Sequence, residues 1–291
     1  MSGATPGPAP GQVTGGVGES RGPSRVRRIL ARSPVWLMQI ALLAAFLVAW
    51  QFLPQIPALK AMSHLFDSYF VSSPTRIARE LNDLMTGGNG SPLIWPYIWA
   101  TVYASLLGTA IGMVLGAAFG LVLSNFRFLS EVMRPFIIGM NAVPRIALVP
   151  IVVIVFGPNQ LSCVIISVLV VFFVAFLNAY EGGTSVRQEL VQNARLLGAS
   201  NWRILTIIRL QFVMAWTLAS LPLSVTFAVI TVVTAEILTG VVGMGSLLGT
   251  AAVTGNSALT FAVVIMLAVV GVVITLAADA IRARVLHWWG K

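Results

Sequence analysis

Few residues in this 291-residue chain carry the chemistry of a catalytic or metal-binding group. There are two lysines, Lys60 and Lys291, two histidines, His64 and His287, and one cysteine, Cys163. A phosphate loop needs a lysine behind a glycine-rich turn in the frame G-x-x-x-x-G-K-[ST], and neither lysine stands in one. His64 falls in a polar loop and His287 at the far end, on opposite sides of the threading described below. They therefore form no metal or general-base pair. Cys163 lies inside an apolar run, where a thiol reads as a small packing residue. No Ser/His/Asp set and no Cys/His cluster falls on one side. The residues point to no enzyme, no metal site and no nucleotide site on this chain.

Two charges and one polar island remain. Arg145 and Glu236 stand within apolar runs, and charges there are expensive enough to be functional by default. One reading puts them beside a translocation path, where Arg145 attracts an anion. The other makes them a structural ion pair, or an arginine reaching for an interface, with Glu236 solvated near the outer end of its run. The island is residues 191–200, VQNARLLGAS. Ser185 with Gln188 reads as a capping box, opening a helix whose Leu190, Ala194 and Leu197 share a face. Gly198 fits a helix stop, and Ser200 caps a second helix over 201–211. Two short helices joined at a glycine turn read as a docking knuckle.

The elements holding these residues are membrane spans. The chain is 57% hydrophobic and 9% charged, against about 25% charged in soluble domains. Apolar runs long enough to cross a bilayer recur along it. Residues 1–24, rich in Gly, Pro, Ser and Thr, read as a disordered tail, basic through residue 34. Six spans follow, at about 35–53, 97–123, 135–156, 161–179, 212–238 and 259–278. The membrane domain therefore covers 35–289, with the knuckle region at 181–211. Between the first two spans, Ser73-Pro74 opens an amphipathic helix with Ile77, Leu81, Leu84 and Met85 on one face and Gly87-Gly88 closing it. It is expected to pack on the protein's own rim. Gly108, Gly112, Gly116 and Gly120 put a flat strip on the second span, for close approach of another helix. Pro144 and Pro150 interrupt the third span by removing backbone donors.

Threading the six spans puts all the basic residues except Lys60, Arg76, Arg79 and Arg145 on the side of the tail, the knuckle and the C-terminus. That side holds fourteen of the eighteen. The positive-inside rule makes it the cytoplasm, with both termini there. The net charge of +9 then reports orientation and calls for no nucleic acid.

With that frame in place, the knuckle resembles the cytoplasmic signature of the permease subunits of bacterial binding-protein-dependent ABC importers. That signature runs E-A-A, three residues, G, nine residues, I-x-L-P. Here Gln192-Asn193-Ala194 is followed by Gly198 and by Ile208-Arg209-Leu210-Gln211. Gln192, Asn193 and Gln211 stand where the pattern has Glu, Ala and Pro. Residues 142–150, with Phe156-Gly157, are similar to the I-P-x-x-A-L-x-P…F-G segment of the nitrate, sulfonate and taurine branch. Ala235-Glu236 followed by Gly243-Met244-Gly245 is similar to its A-E…G-L-G loop.

The resemblance implies an all-α membrane protein with the type I importer permease fold, in the inner membrane. It implies an ATPase dimer that grips the knuckle at Gln192, Asn193, Ala194, Arg195, Gly198 and Ala199 and carries ATP and Mg. It also implies an external solute-binding protein and a second permease chain, a homodimer being simplest because one chain has one knuckle. The lipid bilayer surrounds all of this, and the expected cargo is a small anion such as nitrate, a sulfonate or a taurine-like solute. A neutral or cationic nutrient such as a thiamine-precursor pyrimidine is the alternative. A secondary carrier would need an internal inverted repeat and several buried ionisable residues, which the chain does not offer.

Overall fold

A computed structural model of the protein describes residues 25–52 and 71–287. Residues 1–24 of the expected tail, Lys60, His64 and Lys291 lie outside them, as does the side chain of Arg145; residues 25–34, expected as part of the disordered tail, are instead helical. The chain falls into two units divided after Trp50. The first holds helix α1 (Arg25–Phe52) as far as Trp50, and the helix is exposed at Trp36, Met38, Leu42 and Phe46. Everything described below belongs to the second unit.

That unit is helical, starting with α2 (Pro74–Thr86), which follows the Ser73 turn and stops at Gly87 in the left-handed region (φ 73°). Ile77 and Leu84 are buried, and α2 packs on the last helix, so its apolar face is turned to the protein's own rim. Next comes α3 (Trp95–Asn125), about 46 Å long at 1.5 Å per residue. Its four glycines lie against α6 (Gln160–Thr184). A Cβ at Gly108 would stand 2.2 Å from Ser167 Oγ, one at Gly112 2.8 Å from Val171 Cβ, one at Gly116 2.7 Å from Ala175 Cβ and one at Gly120 2.5 Å from Ala179 Cβ. Any side chain larger than hydrogen would force the helices apart.

These pairings rise together in residue number, so α3 and α6 run parallel. The chain between them must come back across their length, and it does so in two pieces rather than one. They are α4 (Arg127–Ala142) and α5 (Val149–Phe156), joined through Pro144 and a 3₁₀ turn at Arg145–Leu148. Ser130 of α4 hydrogen-bonds Tyr180 near the end of α6. Val149 and Val152 of α5 share a core cluster with Ala104, Cys163, Val232 and Ala235 near the starts of α3 and α6. Pro144 breaks the path. Pro150 does not kink it, because it sits in the first turn of α5, where no intrahelical N–H is needed.

After α6 come α7 (Gln188–Leu196) and α8 (Asn201–Ala219), the latter passing from an α-helical turn at Asn201–Arg203 through a π-helical stretch at Ile204–Arg209. The expected boundary between knuckle and fifth span at residue 212 is therefore absent. The break falls instead at Ser220, ahead of α9 (Leu221–Thr239), which carries Pro222 in its first turn. Two further helices complete the unit, α10 (Met244–Val253) and α11 (Ser257–Val285). The stretch between the expected fifth and sixth spans thus holds a short helix, about 15 Å long and too short to cross a bilayer. Helices α3, α6, α8, α9 and α11 are each long and apolar enough to span.

Candidate functional site

The knuckle is built by α7, a turn and the start of α8. Gly198 has φ +82° and donates its N–H to Arg195 O at 2.9 Å, while Ala199 N–H reaches Ala194 O at 2.9 Å. This pair is a Schellman stop, which needs a left-handed residue where Gly198 stands. Ser200 Oγ accepts from Arg203 N–H at 3.3 Å and caps α8. The expected capping box at Ser185 does not form. Ser185 continues α6 in helical conformation and donates its hydroxyl to Gly182 O at 2.8 Å.

Val186, Val191 and Ile204 form the knuckle's small core, with Ala194, Ala199, Ile208 and Phe212 packed around it. The inward face of α7 is thus Val191 and Ala194, not the expected set with Leu190 and Leu197. The helix ends at Leu196, so the 3.6-residue period that pointed Leu197 inward no longer applies. Leu196 is 86% exposed, Leu197 89% and Trp202 72%. Gln192, Asn193, Arg195 and Gly198 are exposed, and Ala194 and Ala199 half-buried. Three large apolar side chains beside exposed polar ones make the kind of patch that marks a protein interface.

Arg209 ties the knuckle to the spans. Its Nη1 donates to Ser124 O at 2.8 Å, across the end of α3. Gly183 lies in the same corner, with Ser124 Oγ 2.0 Å from where its Cβ would be. A cavity of about 700 Å³ under this corner is lined by Asn125, Glu131, Tyr180, Glu181 and Arg209. From sequence Arg209 was one basic residue among several. Its role depends on a carbonyl 85 residues away, which no local pattern reports.

Glu236 lies at the other end of α3. It is not solvated: it is 0% exposed, and both its oxygens accept hydrogen bonds from the chain itself. Thr101 Oγ1 donates to them at 2.9 Å, and Gly245 N–H donates to Oε2 at 2.8 Å. Met244 N–H in turn donates to Thr101 Oγ1 at 2.9 Å. The carboxylate caps the first turn of α10, where the orphan amides and helix dipole favour a negative charge. A Cβ at Gly243 would stand 2.1 Å from the Glu236 carboxyl carbon, and one at Gly245 2.2 Å from Val233 O. Thr101 was not expected here; a hydroxyl in an apolar run gives no sign of a partner 135 residues on. Pro144 and Pro150 are exposed, with Ile146 between them, on the surface around the third-span break.

Residues 84–287 match the family described as the binding-protein-dependent transport system inner membrane component. The chain is 22% identical over 165 residues to the riboflavin transport system permease protein RibX of Chloroflexus aurantiacus, covering 57% of this chain and 62% of that one. It is 26% identical over 160 residues to the taurine transport system permease protein TauC of Escherichia coli, covering 55% and 58%. The match thus spans less than two thirds of either relative. Among solved structures, an inward-facing form of the MetNI methionine ABC transporter superposes with a TM-score of 0.59 at 16% identity, covering 66% of this chain and 96% of that one.

Proposed function

The chain belongs to the family of binding-protein-dependent transport system inner membrane components, the ABC permeases of the bacterial inner membrane, and from that membership we propose that it conducts a small anion inward, of the nitrate, sulfonate or taurine kind. The observation that carries the reading is the knuckle: a Schellman turn presenting exposed Leu196, Leu197 and Trp202 where an intracellular motor would grip. In this reading a separate ATPase dimer binds ATP and Mg and holds Gln192, Asn193, Ala194, Arg195, Gly198 and Ala199. A solute-binding protein delivers cargo at the opposite face, two copies of this chain form the path, and both termini are cytoplasmic.

Closure of the ATPases moves the two knuckles. Because α8 runs unbroken from Asn201 to Ala219 and Arg209 is tied to Ser124, that displacement passes to α8 and α3 together. The segment from the break at Pro144-Arg145 to Pro150 is the part assigned to the path, with Arg145 drawing the anion. Nothing in this chain is assigned to ATP chemistry.

A second reading, a vitamin-like neutral solute, rests on the likeness to the riboflavin permease. The experiment that decides is a ligand screen on the partner binding protein, followed by solute-stimulated ATPase activity in reconstituted vesicles. The anion reading expects stimulation by sulfonates, taurine or nitrate, and a loss of uptake in Arg145→Gln with the ATPase still attached. Stimulation by a riboflavin-like solute, and by none of the anions, would replace it with the second reading.

A further inference from the structure

We propose that Glu236 is a positioning residue: with Thr101 and the Gly243–Gly245 turn it fastens the short helix α10 to the end of α9 and the first turns of α3, so that the three move as one rigid block. This block lies at the end of the spans opposite the knuckle. Thr101 and Ser124 are separated by 23 residues of one helix, roughly 35 Å. The inference holds whichever solute is carried.

Three observations carry it. The carboxylate is completely buried and receives donors from two segments, the Thr101 hydroxyl of α3 and the Gly245 amide of α10. Swinging α10 away would strip the Gly245 amide from the carboxylate and leave it with the Thr101 hydroxyl alone in apolar surroundings, and losing one partner of a buried charge is among the costlier changes a protein can suffer. The fit leaves no slack, because even a methyl group at Gly243 or Gly245 would overlap Glu236 or the Val233 carbonyl. Lastly, Met244 N–H bonds the same Thr101 hydroxyl, so α3 holds the α10 turn directly as well as through the carboxylate.

One consequence concerns the solute. Half-helices in transporters commonly point a free N-terminus at an anionic substrate. The N-terminus of α10 already holds the chain's own carboxylate and is closed to any solute anion. An opening at this face must therefore come from movement of the whole block, not from α10 lifting off α9.

Gly249 of α10 offers a direct test, since a Cβ there would stand 3.7 Å from Ile237 Cγ2 and 3.9 Å from Ile237 Cα, close enough for a disulfide. The chain carrying Ile237→Cys and Gly249→Cys, with the buried Cys163 changed to Ser, is expressed with its ATPase in membranes. Disulfide formation under a mild oxidant is followed by mass spectrometry, without nucleotide and with ATP plus vanadate. The rates are expected to agree within about twofold in the two states, and to fall by about fivefold or more with Glu236→Ala or Thr101→Val. Thr101→Ser, which keeps the hydroxyl, is expected to match the parent. If Glu236→Ala does not insert, Thr101→Val carries the comparison. Oxidation is expected to leave uptake by the parent intact and to restore uptake to the Thr101→Val chain. A rate that changes about fivefold between nucleotide states would overturn the proposal, as would rates unaffected by both substitutions. So would uptake by the parent that stops on oxidation and returns on reduction. The crosslinking rates need no transported solute, so they fail or succeed independently of the anion reading.

Discussion

Gly245 and Gly139 are both glycines in a helix, yet their substitutions are expected to differ sharply. Alanine at Gly245 would place a methyl group 2.2 Å from the Val233 carbonyl, a backbone atom that cannot step aside. Gly245→Ala is therefore expected to destabilise the purified chain by about 2–4 kcal/mol, read as a lowered thermal unfolding midpoint in detergent. Gly139 has nothing within 4 Å of its missing Cβ, so Gly139→Ala should stay within about 0.5 kcal/mol. Equal effects in the two variants would mean that the close approach around Glu236 is absent in solution. Arg209 is the other residue whose neighbours set its worth. Arg209→Met removes the bond to Ser124 O while keeping much of the apolar stem, and about 1–3 kcal/mol is expected to go with that charged hydrogen bond. The same detergent melt reads it.

At the scale of elements, the knuckle depends on one backbone conformation. Gly198 at φ +82° supplies both amides of its turn with their acceptors, and proline there would fix φ near −65° and remove the N–H to Arg195 O. Gly198→Pro is expected to abolish co-purification of the ATPase while leaving membrane insertion intact. Gly198→Ala, with open space around the missing Cβ, pays only the left-handed strain of about 1–2 kcal/mol and should weaken the attachment rather than end it. ATPase retained at wild-type levels by Gly198→Pro would remove the knuckle from the interface. The α3–α6 pair behaves oppositely, because its glycines act through contact and not conformation. Gly116→Leu would drive a side chain into Ala175 and the Phe172 carbonyl, separating two parallel helices along their length.

For the whole molecule, the parallel course of α3 and α6 sets the arrangement. It forces the chain to return through α4 and α5, and it leaves the knuckle and the Glu236 clasp at opposite ends of α3. Leu197 is 89% exposed and Val253 90%, one at each end. In a Cys163→Ser background, Leu197→Cys is expected to react with a membrane-impermeant maleimide only in inside-out vesicles, and Val253→Cys only in right-side-out vesicles or intact cells. The reverse pattern would overturn the orientation drawn from the basic residues, and labelling of both from one side would overturn their placement at opposite ends.

Much of this was readable along the chain. Apolar runs of bilayer length located the helices, because burial in lipid acts on each segment alone. The four-residue glycine spacing marked the face of α3 that meets α6, and Gly198 marked the end of α7, because helix periodicity and left-handed backbone are local properties. The spacing from Gln192 to Leu210 gave a family resemblance, which the match over residues 84–287 bears out. Other features had no local sign. Glu236 looked like a charge facing a path or solvent, and only the fold brings Thr101 and Gly245 onto it, from 135 and 9 residues away. Arg209 looked like one more cytoplasmic charge until its carbonyl partner at the end of α3 was in place. The third span was expected to be interrupted at both prolines, but only Pro144 breaks it, because the packed structure puts Pro150 in the first turn of α5. Local pattern decides what each segment prefers in water or lipid; which distant group satisfies a buried charge is decided only when the helices are packed together.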